Sequence, residues 1–211
     1  MSHSLFDLSG RVAMVSGAAS GMGKQMAIGF AEAGADLALA DLNFSGAEET
    51  ANTIESLGQR VLPVKCDVSE IEQVQLLYES IDREFGRIDI VGNVAGEGDM
   101  GRPEEFPIER LQQVLQNLVV GRFASCQEAG RRMLKQGKGS IINFGSIAGW
   151  NSLGRGHAPY GMAMGAGIQM TRELSTEWAS RGVRVNAILP AQVWNARLRD
   201  RISAVPDLED T

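Results

Sequence analysis

Ser16-Gly-Ala-Ala-Ser-Gly-Met-Gly23 is the stretch on which the reading of this chain turns. A short apolar run, Val12 to Val15, precedes it with the length and residue types of a buried strand. After it, Met26, Ala27, Phe30 and Ala31 recur at helical spacing as far as Gly34, a residue suited to the C′ position. Gly17, Gly21 and Gly23 therefore lie where a strand turns into a helix. Without Cβ atoms the backbone can turn sharply and admit a phosphate, and the free N–H groups of a helix start favour an anion. A second strand-like run, Leu37 to Ala40, ends in Asp41. A carboxylate there can accept hydrogen bonds from both hydroxyls of an adenosine ribose. A plain turn followed by a solvated acid is the competing reading. The spacing is G-x-x-x-G-x-G rather than G-x-G-x-x-G, but the order strand, loop, helix, strand, acid favours dinucleotide binding.

The chain has 211 residues, 44% apolar and 22% charged, which suits one domain with a three-layer core. A net charge of −6 argues against nucleic acid or an anionic membrane as partner. Cys66 and Cys126 lie far apart and mark neither a disulfide framework nor a metal site; they read as small buried apolar residues. The N-terminus has no basic region followed by an apolar run, and no stretch reaches transmembrane length, so the expected setting is a reducing cytoplasm.

Beyond Asp41, Ser45 to Glu48 forms a capping-box pattern opening a helix that stops at Gly58. The strand Val61 to Lys65 contains Pro63, which cannot donate to a ladder and so belongs at a sheet edge. Asp67 and Val68 end it, and Ser69 to Glu72 repeats the capping pattern before a helix running to Gly86. Ile88 to Val91 is the next strand. A polar loop, Glu97 to Pro107, leads to a long helix from Ile108 to near Gly137, weakened by Gly121. Ser140 to Phe144 reads as a strand, Tyr160 to Arg181 as a helix, and Val183 to Leu189 as the sixth strand. Strands alternating with helices give an α/β fold with one doubly wound parallel sheet, order 3-2-1-4-5-6, helices on both faces.

Ligands of such sheets bind at the carboxyl ends of the strands. Those ends present Ser16-Gly17, Asp41, Asp67, Asn93, Ser146 and Pro190. Ser146 lies fourteen residues before Tyr160, so a strand-end hydroxyl and a phenol opening the next helix can approach each other. Beside a nicotinamide such a pair suits carbonyl reduction: one holds the oxygen while the other exchanges the proton.

These residues resemble the short-chain dehydrogenase/reductase family along essentially the whole chain. The family's T-G-x-x-x-G-x-G loop matches Ser16 to Gly23, and its acid after strand two matches Asp41. Its D-V pair matches Asp67-Val68, and N-N-A-G matches Asn93-Val-Ala-Gly96 with Val94 for the second Asn. R-V-N-x-I-x-P-G matches Arg184 to Ala191, with Ala191 for Gly. The resemblance implies catalytic roles for Asn117, Ser146 and Tyr160, and cofactor contacts from Gly17, Ser20, Gly21, Met22 and Gly23. It extends those contacts to Asp41, Leu42, Asp67, Val68, Asn93, Ala95, Gly96, Tyr160, Pro190, Ala191 and Val193. No metal is implied. Asp41 repels a 2′-phosphate and Ser20 is not basic, so NAD is expected over NADP.

Two departures stand out. The lysine of Y-x-x-x-K is Met164. In the family that lysine holds the nicotinamide ribose and makes the tyrosine more acidic, and a thioether does neither. An unassisted phenol, with a reference pKa of about 10, is phenolate at only about 0.1% near pH 7. Arg155, His157 and the cationic oxidised nicotinamide are the candidates for compensation. Secondly, relatives continue past Asp207 to Thr211 with a further helix and a seventh strand, so a single dinucleotide-binding and catalytic domain over 1–211, shortened at its C-terminus, is expected. The two long helices resemble those that relatives pair into a homodimer or homotetramer. The implied activity is NAD(H)-dependent interconversion of a secondary alcohol and a ketone. A non-catalytic dinucleotide-binding sensor or assembly protein is the alternative, favoured by Met164. A methyltransferase is a distant third, because it has no use for Ser146 with Tyr160.

Overall fold

Residues Val12–Ser16 form β1, and all five are buried, as the apolar run requires of a central strand. Alternate side chains leave it for opposite faces: Ala13 and Val15 join one apolar cluster, Val12 and Met14 the other. The computed structural model describes residues 4–194. Around β1 lie β2 (Asp36–Asp41), β3 (Val61–Lys65), β4 (Ile90–Asn93), β5 (Gly139–Phe144) and β6 (Val183–Ile188). All pair in parallel in the order β3-β2-β1-β4-β5-β6. The strand that carries Pro63 is therefore at the edge.

Helices α1 (Gly21–Glu32) and α2 (Phe44–Ser56) cover one face, burying Ala27, Ala31, Ala51 and Ile54 against Leu37 and Leu39. Helices α3 (Ile71–Phe85), α5 (Arg122–Gln136) and α6 (Ala158–Trp178) cover the other, with Leu77, Ile81, Met133 and Trp178 in its cluster. Each fully buried Leu or Ile contributes about 1.5–3 kcal/mol. Both cysteines are buried, and burial pushes each thiol up to about 11, which leaves them inert packing residues.

Two expected caps are corrected. Asn43, not Ser45, caps α2: its side chain accepts the Gly46 N–H at 3.2 Å, and the Ser45 hydroxyl donates to Asn43 instead. Ahead of α3, Ser69 gives both its N–H and its hydroxyl to Asp67 Oδ1, so Glu70 occupies the cap position without a side-chain bond. In both places a nearby Asx side chain wins the competition for local donors. Strand β4 starts later than expected, at Ile90; just ahead of it the Asp89 backbone bonds to Val12 O and accepts from Ser140 N–H, while its carboxylate pairs with Arg11 and Arg87.

The long helix is divided. α4 (Ile108–Leu115) passes through a π turn, Gln116–Gly121, before α5 begins. A Cβ on Gly121 would lie 1.8 Å from the Val68 carbonyl oxygen, so this glycine exists for close approach rather than as a helix breaker. Gln116 Nε2 donates to Ser69 O at 2.8 Å and pins the same loop. The expectations about Asp207 to Thr211 and a seventh strand lie outside the described residues.

Candidate active site

The loop from Ser16 to Gly23 is built by contacts that only glycine permits. A Cβ on Gly23 would fall 2.1 Å from Gly17 O, and one on Gly17, at φ +74°, would meet Ala95 N at 3.0 Å. α1 starts at Gly21, and the Ser20 side chain makes no capping bond. The first-turn N–H groups thus face outward at a helix start with open space above Gly21, a cradle that fits a pyrophosphate. Ser16 Oγ accepts the N–H groups of Val94 and Ala95 at 3.2 Å each, tying the loop to the segment after β4.

Asp41 lies within this frame. Its two oxygens accept the N–H groups of Ala19 and Asn43, each at 2.9 Å, and a carboxylate has lone pairs left for ribose hydroxyls. Leu42 beside it is 60% exposed, and Met22 also reaches the surface. Asp67 is occupied with Ser69, and its neighbour Val68 presses its carbonyl against Gly121. Asn93 is buried. Its side chain turns inward, accepting from Ser125 Oγ at 2.7 Å and donating to Asn143 Oδ1 at 2.9 Å. The chain of bonds continues from Asn143 to Thr171 on α6, and from Thr171 to Gly167 O. Asn93 therefore fixes β4, β5 and α6 relative to one another, and beyond it Ala95 is half-buried and Gly96 exposed.

Ser146 opens a 3-10 turn, Ile147–Gly149, and its Oγ accepts the Ala148 N–H at 3.2 Å. That turn packs on the start of α6, where a Cβ on Gly149 would meet the Met164 backbone at 2.5 Å. Pro190 closes it from β6 by accepting the Ile147 N–H at 3.1 Å, while Ala191 and Val193 are exposed. Ser146 and Tyr160 are thus carried by two directly packed elements. Gly98 lies against the Tyr160 ring, where a Cβ would come within 2.1 Å of Cδ2. Next to it a cleft of about 300 Å³ is bordered by Glu97, Asp99, Arg110, Gln113 and Asn117. Asp99 and Arg110 form an ion pair across it.

Met164 is only 2% exposed and packs with Val114, Leu118, Ala163 and Tyr160. Of the side chains named as candidates for compensation, Arg155 is exposed, and His157 Nδ1 is held by Gly154 O at 2.6 Å. The residue that sequence reasoning missed is Arg122. It is 5% exposed and occupies a core position in the stripe Leu118, Arg122, Cys126, Ala129, Met133. A lone cation at an apolar-stripe position was the available signal.

The whole arrangement, from glycine loop to Tyr160, now has a known counterpart. The short chain dehydrogenase family matches residues 11–204. The chain belongs to the short-chain dehydrogenase/reductase family. It is 38% identical over 188 residues to D-threitol dehydrogenase of Mycolicibacterium smegmatis, covering 89% of this chain and 72% of that one. It is 33% identical to an NAD-dependent glycerol dehydrogenase of Listeria innocua, with the same coverage of 89% and 72%. The structure of an NAD+-bound xylitol dehydrogenase superposes with a TM-score of 0.88 at 31% identity, covering 92% and 75% of the two chains. As a short-chain dehydrogenase/reductase the chain is an oxidoreductase of nicotinamide chemistry. No helix among the described residues is long and apolar enough to cross a membrane.

Proposed function

We propose that this protein interconverts a small hydroxylated secondary alcohol and its ketone, using NAD(H), with Tyr160 as acid/base and Ser146 holding the carbonyl oxygen. The glycine loop and Asp41 would hold the dinucleotide, which would supply the hydride chemistry at the carbinol or carbonyl carbon. In oxidation Tyr160 Oη takes the hydroxyl proton, and in reduction it gives a proton to the carbonyl oxygen. Ser146 donates to that oxygen, and its position at the opening of the 147–149 turn fixes the hydroxyl beside α6. The observation that carries the reading is the packing of this turn on the start of α6, at the strand ends that also hold the glycine loop.

The substrate class rests on the cleft at Asn117. Its border of Glu97, Asp99, Arg110 and Gln113 offers both donors and acceptors to a ligand with several hydroxyls. The threitol and glycerol relatives act on such alcohols by name. NAD is favoured over NADP because Asp41 would repel a 2′-phosphate. A cytoplasmic setting and a homodimer or homotetramer complete the proposal.

The second reading, a protein that binds the dinucleotide without turning it over, is favoured by Met164, whose side chain is apolar and enclosed. One assay decides between them: NADH oxidation and NAD+ reduction over a panel of tetritols, pentitols, glycerol and their ketones, with Tyr160→Phe as control. Turnover that vanishes in Tyr160→Phe supports the enzyme. NADH binding without turnover of any member supports the second reading.

A further inference from the structure

The cleft beside Tyr160 is walled by two stretches of chain. Glu97, Gly98 and Asp99 come from the loop after β4, and Gly98 lies against the Tyr160 ring. Arg110, Gln113 and Asn117 come from α4 and the π turn, at i, i+3 and i+7, which is one helical face. Among the described residues that line the cleft, Arg110 is the cation.

That cation is already engaged on two sides. Its Nη2 pairs with Asp99 Oδ2, and its guanidinium carbon lies 5.7 Å from the centre of the Phe106 ring. Asp99 is fixed in turn, because its Oδ1 accepts the Met100 N–H at 2.8 Å. One residue further on, Gly101 N–H donates to Gly156 O at 3.0 Å and ties the loop to the segment ahead of α6. An ion pair between side chains 56% and 30% exposed adds little to stability. Its consequence is for what can enter. With Arg110 matched to Asp99, the wall presents no uncompensated positive charge. The exposed stretch between them adds Glu104, Glu105 and Glu109 against Arg102.

An anion approaching the cleft therefore meets a paired cation and a rim of acids. To bind it, Arg110 would have to leave Asp99 and strand that carboxylate beside a second negative charge, which is costly. A hydroxyl group meets no such obstacle. It donates to a carboxylate lone pair and accepts from a guanidinium N–H without separating the two. We infer that Asp99 is a specificity-determining residue of this cleft: by holding Arg110 in an ion pair it admits uncharged polyols and turns away their acid and phosphate derivatives. The inference takes the polyol skeleton from the proposed reaction and adds the charge that the substrate must lack. Selectivity of this kind rests on a repulsive element as much as on an attractive one.

Equilibrium binding tests it, because binding needs no turnover. The probes are D-threitol, the four-carbon acid obtained by oxidising one of its ends, and its phosphate monoester. Each is titrated calorimetrically into the protein with and without saturating NADH. The wild type should bind threitol at least about tenfold more tightly than either anion, the worth of one charged hydrogen bond. Asp99→Asn keeps the shape of the side chain and frees Arg110. Affinity for both anions, relative to threitol, should then rise at least about tenfold. Adding Arg110→Gln to Asp99→Asn should cancel that gain, which a general disturbance of the loop would not do. Unchanged relative affinity in Asp99→Asn overturns the inference, and so does a gain that survives Arg110→Gln. If Asp99→Asn fails to fold, the wild type decides, because anions bound as tightly as threitol, or no difference among the three probes, also overturn it. Oxidation of threitol with NAD+ is followed separately on the same proteins. Its absence throughout sinks the proposed reaction while the anion affinities still decide the role of Asp99; turnover of threitol without a shift in anion affinity does the reverse.

Discussion

The carboxylate of Asp41 accepts the backbone N–H of Ala19 at 2.9 Å, joining the end of β2 to the glycine loop that follows β1. The acid is thereby held in place before any ligand arrives, with Asn43 N–H on its other oxygen. Thr50 braces the same loop from α2 by donating to Ala18 O at 2.9 Å. A negative charge in so fixed a position discriminates between ligands that differ in charge at that point.

Asp41→Ala should therefore weaken NADH binding and strengthen NADPH binding relative to it. A ribose bonded to a carboxylate loses about 1.5–3 kcal/mol when the acceptor is removed, roughly ten- to a hundredfold in affinity. Titration of both reduced cofactors into both proteins checks this. Equal affinities in the wild type would defeat the claim.

Gly98 sets the place of the Tyr160 ring, and Gly98→Ala should show it. The new Cβ would sit 2.1 Å from Cδ2, so the ring must move. A displacement near 1 Å in a reacting group costs about a hundredfold in rate. The expected result is kcat lowered by one to two orders of magnitude with NADH affinity nearly unchanged, because the glycine loop is untouched. Stopped-flow binding alongside steady-state rates separates the two; a loss confined to cofactor affinity would contradict the assignment.

The sheet was legible because parallel strands buried on both faces read as short apolar runs, and Pro63 even marked the edge. The glycine loop was legible because Gly17 and Gly23 have no alternative. Less could be read where side chains compete for the same donors. Ser45 and Ser69 look like caps in one dimension, and only the folded loop shows Asn43 and Asp67 taking those roles. The π turn was hidden because Gly121 reads as a weak helix position, whereas its purpose is a contact with Val68, fifty-three residues earlier in the sequence. Arg122 was hidden for a related reason: only its place in the stripe Leu118, Arg122, Cys126 and Ala129, read through the weak position Gly121, tells that this cation faces the core.

An apolar groove of about 390 Å³ runs between α5 and α6, away from the cleft at Asn117, and is lined by Val120, Phe123, Met170 and Leu174. Phe123 is 45% exposed and Val120 43% exposed. Two parallel helices with an apolar seam can pair with a second copy of themselves about a two-fold axis. The protein should sediment as a dimer or larger at micromolar concentration, and Phe123→Glu should shift it toward monomer. A wild-type monomer under those conditions would count against the pairing.

Asp89 offers a test of stability far from the chemistry. It sits at the amino end of the sheet, where its carboxylate accepts Val12 N–H at 3.0 Å and both Nε and Nη2 of Arg87, at 2.8 and 2.6 Å. Arg11 adds a contact at 3.3 Å. Burial alone would raise its proton affinity, but the hydrogen bonds and charges of Arg87, Val12 and Arg11 outweigh this and hold it below the usual carboxylate range. A carboxylate with a lowered folded value stabilises above the unfolded value of about 3.9, and that contribution is lost as pH falls through the folded value. Both arginines are partly exposed, so solvent screens the pairs, and about 2 kcal/mol is a fair figure for the whole cluster. Asp89→Asn should lower Tm at pH 7 by roughly 4–8 °C, at 2–4 °C per kcal/mol for a domain of this size. Below pH 4 the wild type should lose its advantage, so the two melting curves converge with acid. Turnover at neutral pH should be unchanged, because no site residue touches Asp89. Calorimetry from pH 7 down to pH 2 checks the sign; a Tm gap that widens with acid would reverse it.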